Sequence, residues 1–280
     1  MTQRGEEAVS VTPASNNGSG EQVMRFSVLG SGSRGNCTLV QSKDSCLLID
    51  NGFSGKEVVE RLARLGITPD MLSALVVTHE HSDHVKGVGV LARRCNIPVY
   101  ANEATHRAIE ATVGALPLPR EFGVGDTFII NELSLHPFSV SHDAVDPVGF
   151  TVSDGERTLG YCTDTGKITR LIEYRLQACQ ALILEANHDV QMLKTGPYPF
   201  PLKQRVLSGG GHLANNDSVD FARRLAGGCL KMLVLAHLSA ANNHPDLVLG
   251  EVRRQLGLYK DLHITIAAQK QAGPLLEIVF

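Results

Sequence analysis

The sequence predicts an α/β protein, a four-layer αββα sandwich in one domain, on three observations. Short apolar runs alternate with stretches of helical periodicity as far as residue 112. A block of strand-like segments without helices then fills 127–160, and alternation resumes after it. Two halves that each combine sheet and helix bury their apolar faces with the sheets inside and the helices outside.

The elements follow in order. Residues 1–22, rich in Ser, Asn, Gly, Thr and Glu, read as a disordered tail ahead of a domain spanning 23–280. Met24 to Leu29 is a strand stopped by Gly30, and 38–40 and 46–49 are strands about the polar turn 42–45. Gly55 to Leu65 carries Val58, Val59, Leu62 and Leu65 at helical spacing, with Gly66 as its stop. Ala74 to Val77 is a buried strand. Val85 to Cys95 is a helix with Arg93 and Arg94 in its last turn, 98–101 a strand, and Glu103 to Thr112 a helix. Further helices are expected at 168–178, 218–225 and 245–256, and strands at 181–184, 232–236, 263–266 and 275–279.

A hydrophobic fraction of 43% and a charged fraction of 20% are ordinary for a globular chain. The net charge of -3 gives no general basic field, so contact with nucleic acid must rest on a local patch. Cys37, Cys46, Cys95, Cys162, Cys179 and Cys229 are scattered and form no Cys-x-x-Cys pair. That argues against structural zinc or a disulfide framework, and for burial as small apolar residues in a reducing compartment. No apolar run has the length of a signal peptide core or a membrane span, so the expected location is cytoplasmic.

Chemistry concentrates in Thr78-His79-Glu80-His81-Ser82-Asp83-His84, directly after a buried strand. In extended backbone His79 and His81 share a face. Where the next helix starts, Asp83 and His84 can turn towards a second position. Three imidazoles and a carboxylate this close suit zinc, or another first-row divalent ion such as manganese. A lone histidine at a strand end is usually a polar surface residue; three at this spacing are not. Four ligands cannot fill two sites, so distant ones are sought at other strand tips. His142, Asp164 and His237 qualify, and a carboxylate at Asp164 can bridge two cations.

His79-x-His81-x-Asp83-His84, followed by His142, Asp164 and His237, resembles the metallo-β-lactamase superfamily over essentially Met24 to Phe280. The resemblance implies that fold and a pair of divalent metal ions, Zn²⁺ or Mn²⁺. His79, His81 and His142 would hold one ion, Asp83, His84 and His237 the other, with Asp164 bridging and Asp50 supporting the metal loop from behind. Gly30 to Asn36, Glu185-Ala186-Asn187-His188-Asp189, Gly196 to Pro199 and Gly211-His212-Leu213-Ala214-Asn215 narrow the resemblance to the YycJ (WalJ) branch. Members of that branch are regarded as DNA nucleases with 5′ to 3′ exonuclease activity. Ala214 departs from the commoner Ser at its position.

Gly30-x-Gly32-x-x-Gly35 also fits a dinucleotide-binding fingerprint, but no helix opens at its last glycine. A tight turn beside the metal site accounts for it better, with Ser33 and Asn36 as candidate substrate contacts. His212 follows three glycines, and the resemblance implies that it contacts the scissile phosphate or protonates the leaving oxygen, a role its near-neutral pKa suits; the plainer alternative is a helix-capping or surface histidine. For His188, which could share a helical face with Glu185, the branch resemblance implies a supporting or substrate-contact role. Lys194, Lys203 and Arg205, set among prolines and aromatics, read as a stiff cationic loop suited to phosphate neutralisation and base stacking. His106, His136, His244 and His263 have no partners in sequence and read as structural or exposed.

The expected reaction is phosphodiester hydrolysis. Two metals lower the pKa of a bridging water from about 15.7 towards neutrality. The hydroxide attacks in line, oriented by Asp83, and His212 protonates the departing oxygen. Hydrolysis of a small thioester or lactam, RNA processing, and a metal-stabilised module without turnover are the competing readings. The cationic loop and His212 favour a nucleic acid over a small substrate, and the branch resemblance puts DNA ahead of RNA.

Overall fold

Near-continuous apolar strands need cover on both faces, and the chain supplies it with two sheets. A computed structural model describes residues 23–279, so the expected N-terminal tail lies outside the described residues. β1 (Arg25–Gly30), β2 (Cys37–Gln41), β3 (Cys46–Ile49), β4 (Ala74–Val76), β5 (Pro98–Ala101) and β6 (Leu118–Glu121) form the first sheet in that order. β7 (Phe128–Ile130), β8 (Leu133–Ser139), β9 (Val148–Ser153), β10 (Thr158–Cys162), β11 (Ala181–Glu185), β12 (Met232–Ala236) and β13 (His263–Ile266) form the second. β14 (Leu276–Glu277) returns to the first sheet beside β1.

Side chains alternate between two environments, as the two-residue period of a strand requires. Val40, Leu47, Ile49 and Val76 point inward and share a core with Phe150, Ile183 and Val234 of the other sheet. Leu39, Leu48, Leu75 and Val77 point outward into a second core, covered by helices α1 (Gly55–Ala63), α2 (Ser82–Val85), α3 (Val88–Cys95) and α4 (Glu103–Val113). Behind the second sheet lie α5 (Arg170–Leu176), α6 (Val190–Thr195), α7 (Phe200–Leu207), α8 (Asn215–Leu225) and α9 (Pro245–Leu256). Leu182, Leu184, Leu233 and Leu235 pack there with Ile172, Phe221 and Val248. The layers are helix, sheet, sheet, helix.

Strand direction places the site. β3 to β6 run parallel, as do β10 to β13, while β9 is antiparallel to both its neighbours, β10 and β8, so β8 runs in the same direction as β10. The carboxyl ends of β3, β4, β8, β10, β11 and β12 therefore open towards one edge of the sandwich, where such sheets hold their ligands.

Four expectations need correcting. The helix placed at 85–95 starts at Ser82 and breaks at Gly87, whose N–H bonds Asn51 O at 2.9 Å and whose Cβ position would lie 1.9 Å from Phe53 O. The cationic loop is two short helices, α6 and α7, with a proline in the first turn of α7, where a missing N–H costs nothing. β6 has mostly exposed side chains and so lacks the apolar alternation that reveals a strand, and the final strand is shorter than expected. Cys37, Cys46, Cys162 and Cys179 are buried free thiols, but Cys95 is half-buried and Cys229 is exposed. No helix among the described residues is long and apolar enough to cross a membrane.

Phe150 is fully buried between the sheets, edge-on to Phe122 at 5.6 Å. Phe150→Ala should cost about 3–5 kcal/mol, read as a lower urea midpoint at unchanged slope.

Candidate metal centre

Asp50 sits one residue past β3, wholly buried, with its backbone in the left-handed region at φ 60°. Its Oδ1 accepts the Thr78 N–H at 2.8 Å, and its Oδ2 accepts Thr78 Oγ1 at 2.8 Å and His84 Nδ1 at 2.7 Å. These bonds fix the loop after β4. They also assign the tautomer of the neutral His84 ring: its single proton sits on Nδ1, so Nε2 becomes the lone pair once the second proton is displaced. Thr78 Oγ1, already donating to Asp50, accepts from His79 Nδ1 at 2.9 Å, so His79 likewise presents Nε2.

The second sheet repeats the device. Glu185 ends the apolar run of β11 and is wholly buried. Its Oε2 accepts the N–H groups of Thr165 and Leu213, each at 3.0 Å, while its Oε1 takes Nδ1 of His212 and Nδ1 of His237, each at 2.8 Å. His237 therefore turns Nε2 inward. His142 donates Nδ1–H to Gly211 O at 3.1 Å and also turns Nε2 inward.

The inward atoms cluster. His79, His81 and His142 bring one ligand atom each within 4.8 Å of one another; so do Asp83, His84 and His237, and so do His79, His84 and Asp164. His142 Nε2 lies 3.2 Å from His81 Nδ1, close to the roughly 3.3 Å edge of a tetrahedron of nitrogens about zinc. His84 Nε2 is 3.4 Å from Asp164 Oδ2, and His237 Nε2 is 3.6 Å from Asp83 Oδ2. His79 Nε2, His237 Nε2 and Asp164 Oδ2 are buried without a hydrogen-bond partner among the described residues, a costly state for polar atoms that divalent cations would relieve. The donor set thus fits divalent metal. Asp164, Glu185, His212 and His237 also lie close together, but both oxygens of Glu185 are already filled by N–H donors, so that group is less suited to an ion.

Electrostatics divide the histidines. Burial, followed by the neighbouring imidazoles, lowers His79. Burial also works against the charged form of His84, but Asp164, Asp50 and Asp83 reverse this and raise it to about 9. His237 is raised by Asp164, Asp83 and Glu185 against the same burial, and His212 by Glu185. Burial pushes Asp83 and Glu185 up, yet their histidine partners hold both well below the usual carboxylate range.

The remaining candidates are spread around this centre. Ser33 lines a cavity of about 220 Å³ together with His81, Asp83, His142, Asp164, His212 and His237. Arg205 lines it too, whereas Lys194 and Lys203 lie outside, joined by a bond from Lys203 Nζ to Lys194 O at 2.8 Å. Asn36 is buried behind the cavity, its Nδ2 3.2 Å from Asp83 Oδ2 and 3.1 Å from His84 Nε2. The glycine turn that carries Asn36 also holds His237, through a bond from His237 N to Ser31 Oγ at 2.9 Å. His188 does not share a helical face with Glu185: it forms a β-bridge with Ala214, is buried, and has both ring nitrogens unpartnered among the described residues. Glu185 and Thr78 were the residues the sequence reading gave no role. A carboxylate closing an apolar strand, the pattern shared by Asp50 and Glu185, was the available signal.

Comparison with known proteins agrees with this geometry. Residues 46–238 match the family model described as a beta-lactamase superfamily domain. The chain is 41% identical over 228 residues to an exodeoxyribonuclease YycJ of Bacillus anthracis, covering 80% of this chain and 86% of that one. It is 36% identical over 263 residues to an exodeoxyribonuclease WalJ of Streptococcus pneumoniae, covering 91% and 98%. In fold it resembles the metallo-beta-lactamase fold protein YhfI from Bacillus subtilis, with a TM-score of 0.72 at 18% identity, over 91% of this chain and 99% of that one. The chain therefore belongs to the metallo-β-lactamase-fold hydrolases, metal-dependent enzymes, in the branch of the YycJ and WalJ proteins.

Proposed function

We propose that the protein is a two-metal phosphodiesterase that removes nucleotides from DNA in the 5′ to 3′ direction. The observation that carries this is the His212–Glu185 pair, which stands beside the inward-facing ligand atoms in the same cavity. The relatives named exodeoxyribonucleases support the choice of DNA. His79, His81 and His142 would hold one divalent cation and Asp83, His84 and His237 a second, with Asp164 available to both; Zn²⁺ and Mn²⁺ both suit these donors. Bound cations supply a nucleophilic hydroxide at neutral pH and neutralise phosphate charge.

The chain does the rest. Asp83, at the cavity wall, binds and orients. Attack on phosphorus breaks the P–O3′ bond, and the electron pair leaves with O3′. His212 holds one proton on Nδ1 against Glu185 and delivers the other from Nε2 to that oxygen. Glu185 keeps His212 protonated until then. Ser33 and Arg205 contact substrate at the rim, Lys194 and Lys203 attract the strand further out, and Asn36, Asp50 and His188 support the site.

End-labelled DNA and RNA, incubated with protein loaded with Mn²⁺ or Zn²⁺, test the reading. Labelled mononucleotides should appear from 5′-labelled DNA. Asp164→Ala should lose turnover with its fold retained, and substantial cleavage by that variant would sink the proposal. His212→Ala should keep its metal content while kcat falls about 10²- to 10⁴-fold.

Metal uptake should depend on pH. Because His84 is raised to about 9 in the metal-free protein, an incoming cation must displace its proton below that pH. Affinity should therefore climb with pH at least as far as about 9. Calorimetry at pH 7.5 in buffers of different ionisation heat should show proton release, and its absence would refute the assignment of His84.

A further inference from the structure

From Val190 to Asn216 the chain has no Asp or Glu, yet it carries Lys194, Lys203 and Arg205. In a protein with net charge -3 this is a segregated cationic strap, and it closes over the metal centre. α7 is fixed to His212. The His212 N–H bonds Val206 O at 3.0 Å, and a Cβ on Gly211 would lie 2.2 Å from Arg205 O and 2.3 Å from Val206 O. Whatever receives a proton from His212 must therefore lie beneath α7. There the wall is Tyr198, Leu202 and Val206, an aromatic and aliphatic surface suited to a base and sugar.

Among the described residues Arg205 is the one arginine or lysine lining this cavity. Its Nε donates to Asp143 Oδ2, while Nη1 and Nη2 have no partner among the described residues. Both side chains are partly exposed, 54% for Arg205 and 35% for Asp143, so the pair adds little to stability. What it does fix is direction. Asp143 follows the candidate ligand His142, and its Oδ1 lies 3.4 Å from His142 Nε2, so the guanidinium is tethered to the rim of the metal centre with two donor groups free. Two parallel N–H donors on a tethered plane match two oxygens of a phosphate.

We propose that Arg205 holds the phosphate on the 5′ side of the departing nucleotide, and that Asp143 is the positioning residue that aims it. The inference rests on the nuclease reading above. If O3′ is the oxygen that leaves, the nucleotide under α7 is the one being released, and its remaining phosphate is the terminal phosphate of the strand. A terminal phosphate monoester carries more negative charge than an internal diester, so the site distinguishes a phosphorylated end from a hydroxyl end.

The test compares kcat/KM of the metal-loaded protein on two single-stranded DNAs that differ only in a 5′-phosphate or a 5′-hydroxyl. The wild type should favour the phosphate by about tenfold or more. Arg205→Ala should bring the ratio to about one, and Arg205→Lys should restore part of it, since a point charge cannot reproduce the fork. Asp143→Asn should lower the ratio when Arg205 is present and leave it unchanged in the Arg205→Ala background. A retained preference in Arg205→Ala, or an equal effect of Asp143→Asn in both backgrounds, overturns the assignment. Equal cleavage of both DNAs by the wild type overturns it as well, while the nuclease reading stands. Cleavage of neither DNA overturns both.

Discussion

A carboxylate denied water has to be surrounded by donors, and both halves of this molecule are arranged around one such group. Asp50 at the end of β3 collects an amide, a hydroxyl and an imidazole; Glu185 at the end of β11 collects two amides and two imidazoles. Each acts at one remove. By claiming Nδ1 of His84 or His237, it leaves the other ring nitrogen facing the centre, a lone pair once its proton is displaced. The spacing of the histidines in sequence becomes chemistry because these two carboxylates, together with Thr78 Oγ1 at His79 and Gly211 O at His142, decide which nitrogen carries hydrogen.

The arrangement is held under strain. Asp50, Asp164 and His237 all have positive φ, at 60°, 55° and 56°, a region that residues other than glycine seldom occupy. Each lies just beyond a buried strand whose register is fixed by two cores, so the chain has to turn sharply to aim the side chain. Neighbouring bonds hold these turns. The His237 backbone is pinned on one side by Ser31 Oγ and on the other by Asn187 Nδ2, which bonds its carbonyl at 2.9 Å. Unpartnered atoms and like charges gather at the same place, as expected where a fold is shaped for an ion rather than for its own stability.

Much of this was legible in the chain. Apolar runs such as Met232 to Ala236 announce strands covered on both faces, and two sets of them, each with helices between, announce the layers. The clustered histidines were legible because few other roles explain so many imidazoles at strand tips. Glu185 was not, since one carboxylate after an apolar run has many ordinary uses until its four donors are seen. Asn36 looked like a substrate contact because it sits in an exposed-looking glycine turn, but the turn folds inward against Asp83 and His84. α7 was hidden by its prolines, which signal a loop in sequence yet suit the opening of a helix in space. Arg205 was singled out for its charge, but its tether, Asp143, could not be found without the fold, because 62 positions separate them.

The centre takes its donors from both sheets: the loop after β4 belongs to one, and His142, Asp164 and His237 to the other. Elsewhere the sheets meet through interdigitated side chains and hydrogen bonds such as Val148 N to Thr78 O at 3.1 Å and Ser45 Oγ to Ile130 O at 3.3 Å. Ions seated at that edge would join the two leaves of the sandwich, along a seam already crossed by His84 Nε2 with Asp164 Oδ2 at 3.4 Å and His237 Nε2 with Asp83 Oδ2 at 3.6 Å. Loading ions at the seam where the chemistry would occur is then linked to the stability of the fold as well as to its activity.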